Sequence, residues 1–447
     1  MRRLRRPSGA LWSNTDFLKL WTGQSISEFG SQVSQLAIPL LAADGLHASP
    51  LAFSLLAVLG FLPFILFALP AGVWVDRLSR RPILIAGDAA RAVLLVLIPV
   101  LWATHTLRLW HLLVLEFAIG VFTVLFDVAY QSYLPSLVER EQLVEGNSKL
   151  QLTVSVAQVA GPSASGALIA AVTAPYAIVV DAVSFVVSTL FMLRMRHREE
   201  PHRAATKGAP KPQMWPEVKD GLRWVAGHRW LRPIATCTGA SNFFATLLFA
   251  IFVLYARRNL HLSAFEIGLV FGVGSFGSIF GALVANRLQR TIGVGRTILL
   301  TAIAFSLGGL AYPLAPRSFP LPALMVGQMF FGFGSVAYNI TQVSLRQAIT
   351  PERLQGRMNA AMRWIVWGTI PLGSLTGGAI GTAYGLRASL WVGAIGGCFT
   401  FLPIVLSSVR SIGAMPEAEP GLTPAQAELA GGLVESLPLP GPAAADL

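Results

Sequence analysis

Long apolar runs alternate with short polar segments along almost the whole chain. A run of roughly 18 to 25 apolar residues crosses about 30 Å of hydrocarbon as a helix. About twelve such runs are present, and they start near residues 17, 51, 83, 109, 150, 175, 231, 266, 297, 322, 359 and 388. The pattern predicts an all-α polytopic membrane protein with twelve transmembrane helices, spans one to twelve.

The composition supports this prediction. Hydrophobic residues make up 54% of the 447 residues, charged residues 13%, and the mean hydropathy is +0.60, which a soluble domain of this length does not need. The formal net charge of +12 would suggest a nucleic-acid partner in a soluble chain. With the N-terminus inside, however, about 26 of the Lys and Arg residues fall in cytoplasmic segments, as the positive-inside rule requires. The charge therefore predicts a lipid bilayer as the surroundings, both termini cytoplasmic, and no nucleic acid.

The apolar runs form two sets of six, separated by the longest polar interruption. Residues of the two sets match at a constant offset, as in Asn147 with Asn359 and Gly166 with Gly378. Such a repeat predicts two parallel six-helix halves around a central cavity. The expected domains are the halves 1–193 and 230–411, a cytoplasmic linker 194–229 whose residues 217–230 form an amphipathic helix, and a Pro-rich disordered cytoplasmic tail 412–447.

A charged hinge separates spans two and three. The run from Gly72 to Pro82 contains one acid and three arginines, and a weaker copy from Ala282 to Arg290 has Asn286 in the place of the acid. Charges between two membrane-length segments lie at a bilayer surface. The recurrence of the hinge supports an internal repeat, in which each half of the chain has the same arrangement of helices.

Over residues 14–411 the chain resembles transporters of the major facilitator superfamily, which carry a similar loop motif between their second and third helices. Residues 338–360, which include Tyr338-Asn339 and Met358-Asn359-Ala360, are similar to the branch of enterobactin exporters and macrolide-efflux proteins, as is the run 181–185. The Gly161-Pro162 pair resembles a drug-antiporter signature without its fuller glycine pattern. The resemblance implies a major facilitator fold and a monomeric bacterial inner-membrane transporter. It also implies export of a small amphipathic molecule, such as a drug, a macrolide-like compound or a siderophore, by proton antiport with no cofactor other than the transmembrane proton gradient.

Polar residues within spans one, four, seven and ten recur at steps of three and four, which places them on one face of each helix. In the superfamily these four helices line the central cavity. The candidate substrate-binding residues are Gln24, Ser31, Gln35, Thr123, Asn242, Phe243, Gln328, Asn339 and Gln342. The alternative, that such residues only hydrogen-bond neighbouring helices, is equally open for any single residue but accounts less well for four matching stripes.

Two acidic residues are expected near the middle of the bilayer. At 1.5 Å per residue, Glu28 in span one and Glu116 in span four both come close to the midplane. Removal from water favours the neutral form of a carboxyl group, so an acid at this depth can load and release a proton as the cavity alternates. Glu28 and Glu116 are the proton-coupling candidates, with a structural ion pair as the alternative for each. Arg363 in span eleven is expected either to neutralise an acid or to extend to the surface.

The superfamily motif implies a gating role for the hinge and for Asp127 in span four. Asp76 would interact with the positive N-terminal end of span eleven near Asn359, and a charge relay would join Arg77, Arg81 and Asp127. The gating candidates are Gly72, Asp76, Arg77, Arg80, Arg81 and Asp127. This clasp is expected to hold the cytoplasmic side shut in the outward-open state.

Other function classes fit less well. The sequence contains no Gly-x-x-x-x-Gly-Lys-Ser/Thr run for an ATP-driven pump, and neither His-Glu-x-x-His nor Gly-x-Ser-x-Gly for a membrane-embedded enzyme. Its two cysteines, Cys237 and Cys398, are expected to be packing residues, and no metal site is expected. A proton-coupled solute importer of the same fold stays open, because the polar stripes favour neither direction and do not specify the cargo.

Overall fold

The computed structural model describes residues 10–197 and 214–416, and this part of the chain is built from helices without β-strands. The first half contains α1 Thr15–Leu40, α2 Pro50–Arg77, α3 Arg80–Ala103, α4 Leu109–Leu137, α5 Leu143–Val172 and α6 Ala174–Leu193. The short α7, Met214–Gly227, precedes the second half. That half contains α8 Leu231–Arg258, α9 Ala264–Ile292, α10 Val294–Leu314, α11 Pro320–Ile349, α12 Glu352–Tyr384, α13 Leu386–Gly397 and α14 Leu402–Val405. Spans seven to eleven are therefore α8 to α12, and span twelve is α13 with α14.

The helix boundaries follow from local sequence. The side chain of Asn14 caps α1 by accepting from the backbone N–H of Phe17 at 3.0 Å, and Ser49 caps α2 immediately before a proline at the first helical position. Ser263 and Glu266 form a capping box at the start of α9. Gly293 and Gly385 join consecutive helices with φ of 89° and 90°, backbone conformations that favour glycine.

Ten spans in the described part of the chain are long and apolar enough to cross a membrane. The two remaining long helices of the bundle are α1 and α12, with 26 and 33 residues. Polar, charged and small residues lower the mean hydropathy of these two helices, including Gln24 and Glu28 in α1 and Arg363 in α12. The twelve-helix fold class predicted from the sequence is confirmed, and the two least apolar members are helices that carry polar side chains into the bundle interior.

Helix packing repeats between the halves. In the first half α1 packs on α5 and α6, α2 on α4, and α3 on α4 and α6; the second half repeats every one of these pairs as α8 with α12 and α13, α9 with α11, and α10 with α11 and α13. The two halves meet along two seams, α2 against α12 and α5 against α9. In this helix correspondence α2 matches α9 and α12 matches α5, so the two seams are equivalent. The bundle therefore has the approximate two-fold symmetry that the repeat predicts.

The halves are closed together at one end of the bundle. We call this end the far side, where α1 ends and α2 begins, and the opposite end, where α1 begins and α14 ends, the terminal side. A single core cluster at the far side contains residues of both halves, such as Ile38, Phe53 and Phe252, whereas the clusters at the terminal side each belong to one half. The structure is therefore sealed at the far side and open at the terminal side.

Polar contacts reinforce the far-side seal. Arg257 of α8 forms an ion pair with Asp44 at 2.8 Å, and Arg258 donates to the backbone carbonyls of Ala43 at 3.3 Å and Ala48 at 3.0 Å. The hydroxyl of Thr382 accepts from the backbone N–H of Leu51 at 3.0 Å. Each of these bonds joins one half to the other, so all of them must break if the far side opens.

The amphipathic helix predicted at residues 217–230 corresponds to α7. Its Gly221 lies against the backbone of α12, where an added Cβ would be 2.2 Å from the carbonyl oxygen of Arg357, and Asp220 accepts from Arg357 at 3.2 Å. The linker is thus attached to the second half. Residues 198–213 of the predicted linker and 417–447 of the predicted tail lie outside the described residues.

Candidate functional site

A central cavity of about 510 Å³ lies directly beneath the far-side seal, between helices of the first half and α8. Four of the candidate residues from the sequence line it, namely Ser31, Gln35, Glu116 and Thr123. Gly60 leaves room for the carboxylate of Glu116, because an added Cβ at this glycine would lie 2.9 Å from Glu116 Oε1. Within the described residues Glu116 has no ion-pair partner, so its carboxyl faces the cavity without a counter-charge.

A second cavity, of about 740 Å³, opens nearer the terminal side between α1, α4 and α5. Gln24 and Glu28 line it together with Tyr130. The side-chain Oε1 of Gln24 is buried without a hydrogen-bond partner, which makes it available to a ligand or to water. The two proton-coupling candidates therefore line different cavities, Glu28 the terminal-side cavity and Glu116 the central cavity.

A buried arginine lines the central cavity and interacts with the acid of the terminal-side cavity. Arg91 of α3 forms an ion pair with the fully buried Asp88, and its guanidinium lies 4.3 Å from the ring centroids of both Phe126 and Phe185. Arg91 also interacts electrostatically with Glu28, and with the two other acids Asp127 and Asp181. The guanidinium of Arg91 thus interacts with acidic side chains from four helices, and Arg91 also lines the central cavity.

The Asp88–Arg91 pair was not among the candidates from the sequence. A signal was present, because Asp88 and Arg91 stand three residues apart inside an apolar run, and a helix brings residues at this spacing together. Charged residues within a span are functional candidates by default. Asp127, which the sequence predicts to act in gating, belongs to the same electrostatic group.

The third cavity, the C-half cavity, has about 580 Å³ and lies between α8, α10, α11 and α12. The candidates Asn242, Asn339 and Gln342 line it, as do Arg346 and Arg363. Gln342 donates to Asn339 Oδ1 at 3.0 Å, and Asn242 donates to the carbonyl of Thr238 at 2.9 Å. The guanidinium of Arg363 lies over the ring of Trp367 at 5.0 Å.

Two candidates, Gln328 and Phe243, are not among the residues that line the three cavities. Gln328 accepts a hydrogen bond from the hydroxyl of Tyr312 and packs against α9, where an added Cβ on Gly274 would lie 2.3 Å from Gln328 Cγ. Phe243 packs edge-on against Phe244, with 5.2 Å between ring centroids. Their substrate-binding role stays a prediction.

Five of the six gating candidates, all except Asp127, lie at or near the hinge between α2 and α3. Arg81 donates to the backbone carbonyls of Met192 at 3.2 Å and Leu193 at 2.9 Å, at the end of α6, while Arg80 is buried and an added Cβ on Gly72 would meet no neighbour. The side chains of Asp76 and Arg77 lie outside the described part of the chain. The clasp stays a prediction, since it belongs to a state with the terminal side closed and this structure has that side open.

An aromatic group bridges the two halves between the central and C-half cavities. Trp367 of α12 meets Phe61 and Phe64 of α2 edge-on, with ring centroids 5.9 Å and 6.2 Å apart. Phe64 lines the central cavity and Trp367 lines the C-half cavity. This group therefore forms part of the boundary between the two spaces.

Comparison with known proteins gives one matching family model, described as transmembrane secretion effector, over residues 8–426. The multidrug efflux pump Tap of Mycolicibacterium fortuitum is 27% identical, with 80% of this chain and 88% of the relative covered. Macrolide efflux protein A of Streptococcus pyogenes is 23% identical, covering 80% and 87%, and the enterobactin exporter EntS of Citrobacter koseri is 25% identical, covering 76% of each.

Solved structures share the fold at low sequence identity. A bacterial homologue of the iron transporter ferroportin in its inward-facing state aligns with a TM-score of 0.66 at 17% identity, covering 88% of this chain and 98% of the other. A bacterial homologue of the lysosomal transporter Spinster, inward-facing and unoccupied, aligns with a TM-score of 0.64 at 13% identity, covering 91% and 98%.

Proposed function

This chain belongs to the transmembrane secretion effector family of major facilitator transporters, and we propose that it exports a small amphipathic molecule by proton antiport through alternating access. Relatives named as a multidrug efflux pump, a macrolide efflux protein and an enterobactin exporter support export of a drug-like or siderophore-like compound. The proposal requires the transmembrane proton gradient as energy source and no cofactor. It takes the monomer as the transport unit and a bacterial inner membrane as the location.

The observation that carries the proposal is the placement of acids around the two first-half cavities. Glu28 lines the cavity that opens toward the terminal side, Glu116 lines the cavity beneath the far-side seal, and Arg91 lines the second of these and interacts electrostatically with Glu28. With the orientation favoured by the positive-inside rule, the terminal side is the cytoplasm. The structure then corresponds to the state that accepts cargo from the cytoplasm.

The proposed cycle moves protons and cargo in opposite directions. In the outward-open state the carboxylates of Glu28 and Glu116 would take up protons from outside while the cargo leaves. Return to the state seen in the structure would expose these carboxyl groups to the cytoplasm, where each releases its proton before new cargo binds. Arg91, placed among the acids, would compensate their negative charge after the protons have left.

The test is proton-driven transport in inside-out membrane vesicles that contain the full chain. We expect an imposed proton gradient to drive accumulation of at least one member of a panel of macrolides, dyes and siderophores, accompanied by proton efflux from the vesicle lumen. Glu28→Gln and Glu116→Gln should reach the membrane at normal levels and lose coupled transport. Glu145→Gln is the matched control, since Glu145 pairs with Lys149 at 3.6 Å outside the three cavities.

The rival class is a proton-coupled importer of the same fold. Energised accumulation of the compound by intact cells, with none in inside-out vesicles, would decide for import. Full coupled transport by both glutamine variants would remove these two acids from the mechanism.

A further inference from the structure

The two halves differ in the charged residues that they place in the interior of the bundle. Away from the helix ends, the first half contains five acidic residues within its spans, at positions 28, 88, 116, 127 and 181. Residues 231–411 contain two acidic residues in all. Glu266 belongs to the capping box of α9 at the far side, and Glu352 is the first residue of α12 at the terminal side. Among the described residues that line the C-half cavity, two are arginines and none is acidic.

Arg346 is the buried cation of the C-half cavity. It is 8% exposed, its Nε has no hydrogen-bond partner, and within the described residues it forms no ion pair. Gln342, one helical turn earlier, is 3% exposed with its Oε1 also unpartnered. A guanidinium removed from water without a counter-charge is strongly unfavourable. Both side chains line the cavity, so a ligand there can accept a hydrogen bond from Arg346 Nε, while Gln342 Oε1 can accept one from a donor group of the ligand or from water.

We propose, building on the transport function above, that the C-half cavity binds the anionic, oxygen-rich end of the cargo through Arg346 and Arg363. A guanidinium presents a planar fork of donors that fits a carboxylate or another paired-oxygen anion. The amide donors of Asn242 and Asn339 add neutral hydrogen bonds, and Trp367 offers an aromatic face beside Arg363. The substrate class is therefore an amphipathic organic anion with a planar or aromatic body.

The test uses three probes with the same body and different charge: 1-naphthoate, 1-naphthylmethanol and 1-naphthylmethylammonium. Binding to the full chain is measured by calorimetry in nanodiscs of neutral phosphatidylcholine, so that no anionic headgroup competes. We expect naphthoate to bind at least about 10-fold more tightly than the alcohol and the cation, because a charge-assisted bidentate contact contributes that much.

Arginine variants locate the effect in the cavity. Arg346→Gln and Arg363→Gln should each weaken naphthoate binding by about 10-fold and leave the alcohol unchanged, and Arg346→Lys should give an intermediate loss. Arg363 is exposed, so its variant tests the proposal even if Arg346→Gln folds poorly. Arg223→Gln, at an arginine whose side chain is 69% exposed on α7, is the control and should bind like the wild type.

Equal or tighter binding of the cationic probe, or naphthoate binding that is unchanged in both glutamine variants, would overturn the anionic subsite. Proton-coupled export of another compound in the vesicle assay would then leave the transport function standing. Conversely, arginine-dependent naphthoate binding without proton-coupled transport of any compound would support the subsite and refute the antiport.

Discussion

The polar contacts at the far side make a quantitative prediction about the conformational equilibrium. We define the latch as Asp44, Arg257 and Arg258, which join the loop after α1 to the end of α8. Replacing both arginines by glutamine removes the bonds that require the far side to be closed. The expected result is a larger population of the far-side-open state.

The magnitude follows from the exposure of each bond. The side chains of Arg257 and Asp44 are 29% and 43% exposed, so the pair contributes about 0.5 kcal/mol after solvent screening. The two partly buried bonds from Arg258 to backbone carbonyls contribute about 1.5 kcal/mol together. The sum of about 2 kcal/mol corresponds to a shift of about 30-fold in the ratio of open to closed molecules, and Arg257→Gln alone should shift it by about 2-fold.

The assay is electron–electron distance measurement between spin labels at His105 and Arg317, exposed positions in far-side loops of different halves. The labels require a background in which Cys237 and Cys398 are replaced by alanine. Arg387→Gln is the matched control, because Arg387 donates to the carbonyl of Pro313 at 3.2 Å within the second half. The reasoning is refuted if the double variant keeps the wild-type distance distribution, or if Arg387→Gln shifts it equally.

Three further results are expected. Gly268→Ala should favour the far-side-open state by about 1–3 kcal/mol, because the added Cβ would lie 2.2 Å from the carbonyl oxygen of Pro162 across the α5–α9 seam. The same spin-label distances measure this shift. Gly397→Ala is the control and should leave these distances unchanged, since an added Cβ there meets nothing within 4 Å. Asp88→Ala should lower the free energy of unfolding by about 3–5 kcal/mol, because it removes the ion-pair and hydrogen-bond partner of the buried guanidinium of Arg91. Thermal unfolding in detergent checks this, and a smaller loss in Asp88→Leu/Arg91→Leu is part of the expectation. Asp16 lies in the first turn of α1 at the terminal side, where burial acts to raise its pKa, but Lys19 and the backbone N–H groups of Arg196 and His197 outweigh burial and lower it. A lowered pKa means that the stabilisation by ionised Asp16 is present above the unfolded-state pKa and is lost as the pH falls through the folded-state pKa. Asp16→Asn should therefore destabilise the protein by about 1–3 kcal/mol at neutral pH, and unfolding curves of wild type and variant should converge in acid; a constant difference at all pH values would contradict this.

The architecture was predictable because it depends on properties that a sequence displays directly. The lengths of the apolar runs give the spans, and the repeat gives the two halves with matching helix pairs. Helical periodicity also placed Ser31 and Thr123 at one cavity and Asn339 and Gln342 at another. Periodicity identifies the polar face of a helix, and in a bundle with a polar interior that face is turned inward.

Periodicity does not distinguish a cavity from an interhelical contact, and this limited the site prediction. Gln328 stands on the same face of α11 as Asn339, yet its carbonyl oxygen accepts from Tyr312 of the neighbouring helix. The latch was also missed, although Leu46-His47-Ala48-Ser49 and Leu260-His261-Leu262-Ser263 are visible repeats. Both histidines adopt positive φ, 47° and 54°, so the repeat fixes the shape of two symmetric loops. The pairing of one loop with the other is a tertiary contact that the repeat alone does not reveal.

The two ends of the bundle rely on different interactions. At the far side, small residues bring backbones into contact, as at Gly268 with Pro162 and Gly166 with Ala264, and the latch adds only about 2 kcal/mol to this packing. At the terminal side the clasp expected from the hinge motif consists of charges, and Asn286 in the second hinge cannot supply the charge of Asp76. Close packing is insensitive to protonation, whereas a charged clasp and the acids around Arg91 respond to it. Under the proposed antiport we therefore expect a change in proton occupancy to act mainly on the first half and on terminal-side closure, and we expect the far side to open when terminal-side closure outweighs the fixed packing of the seams.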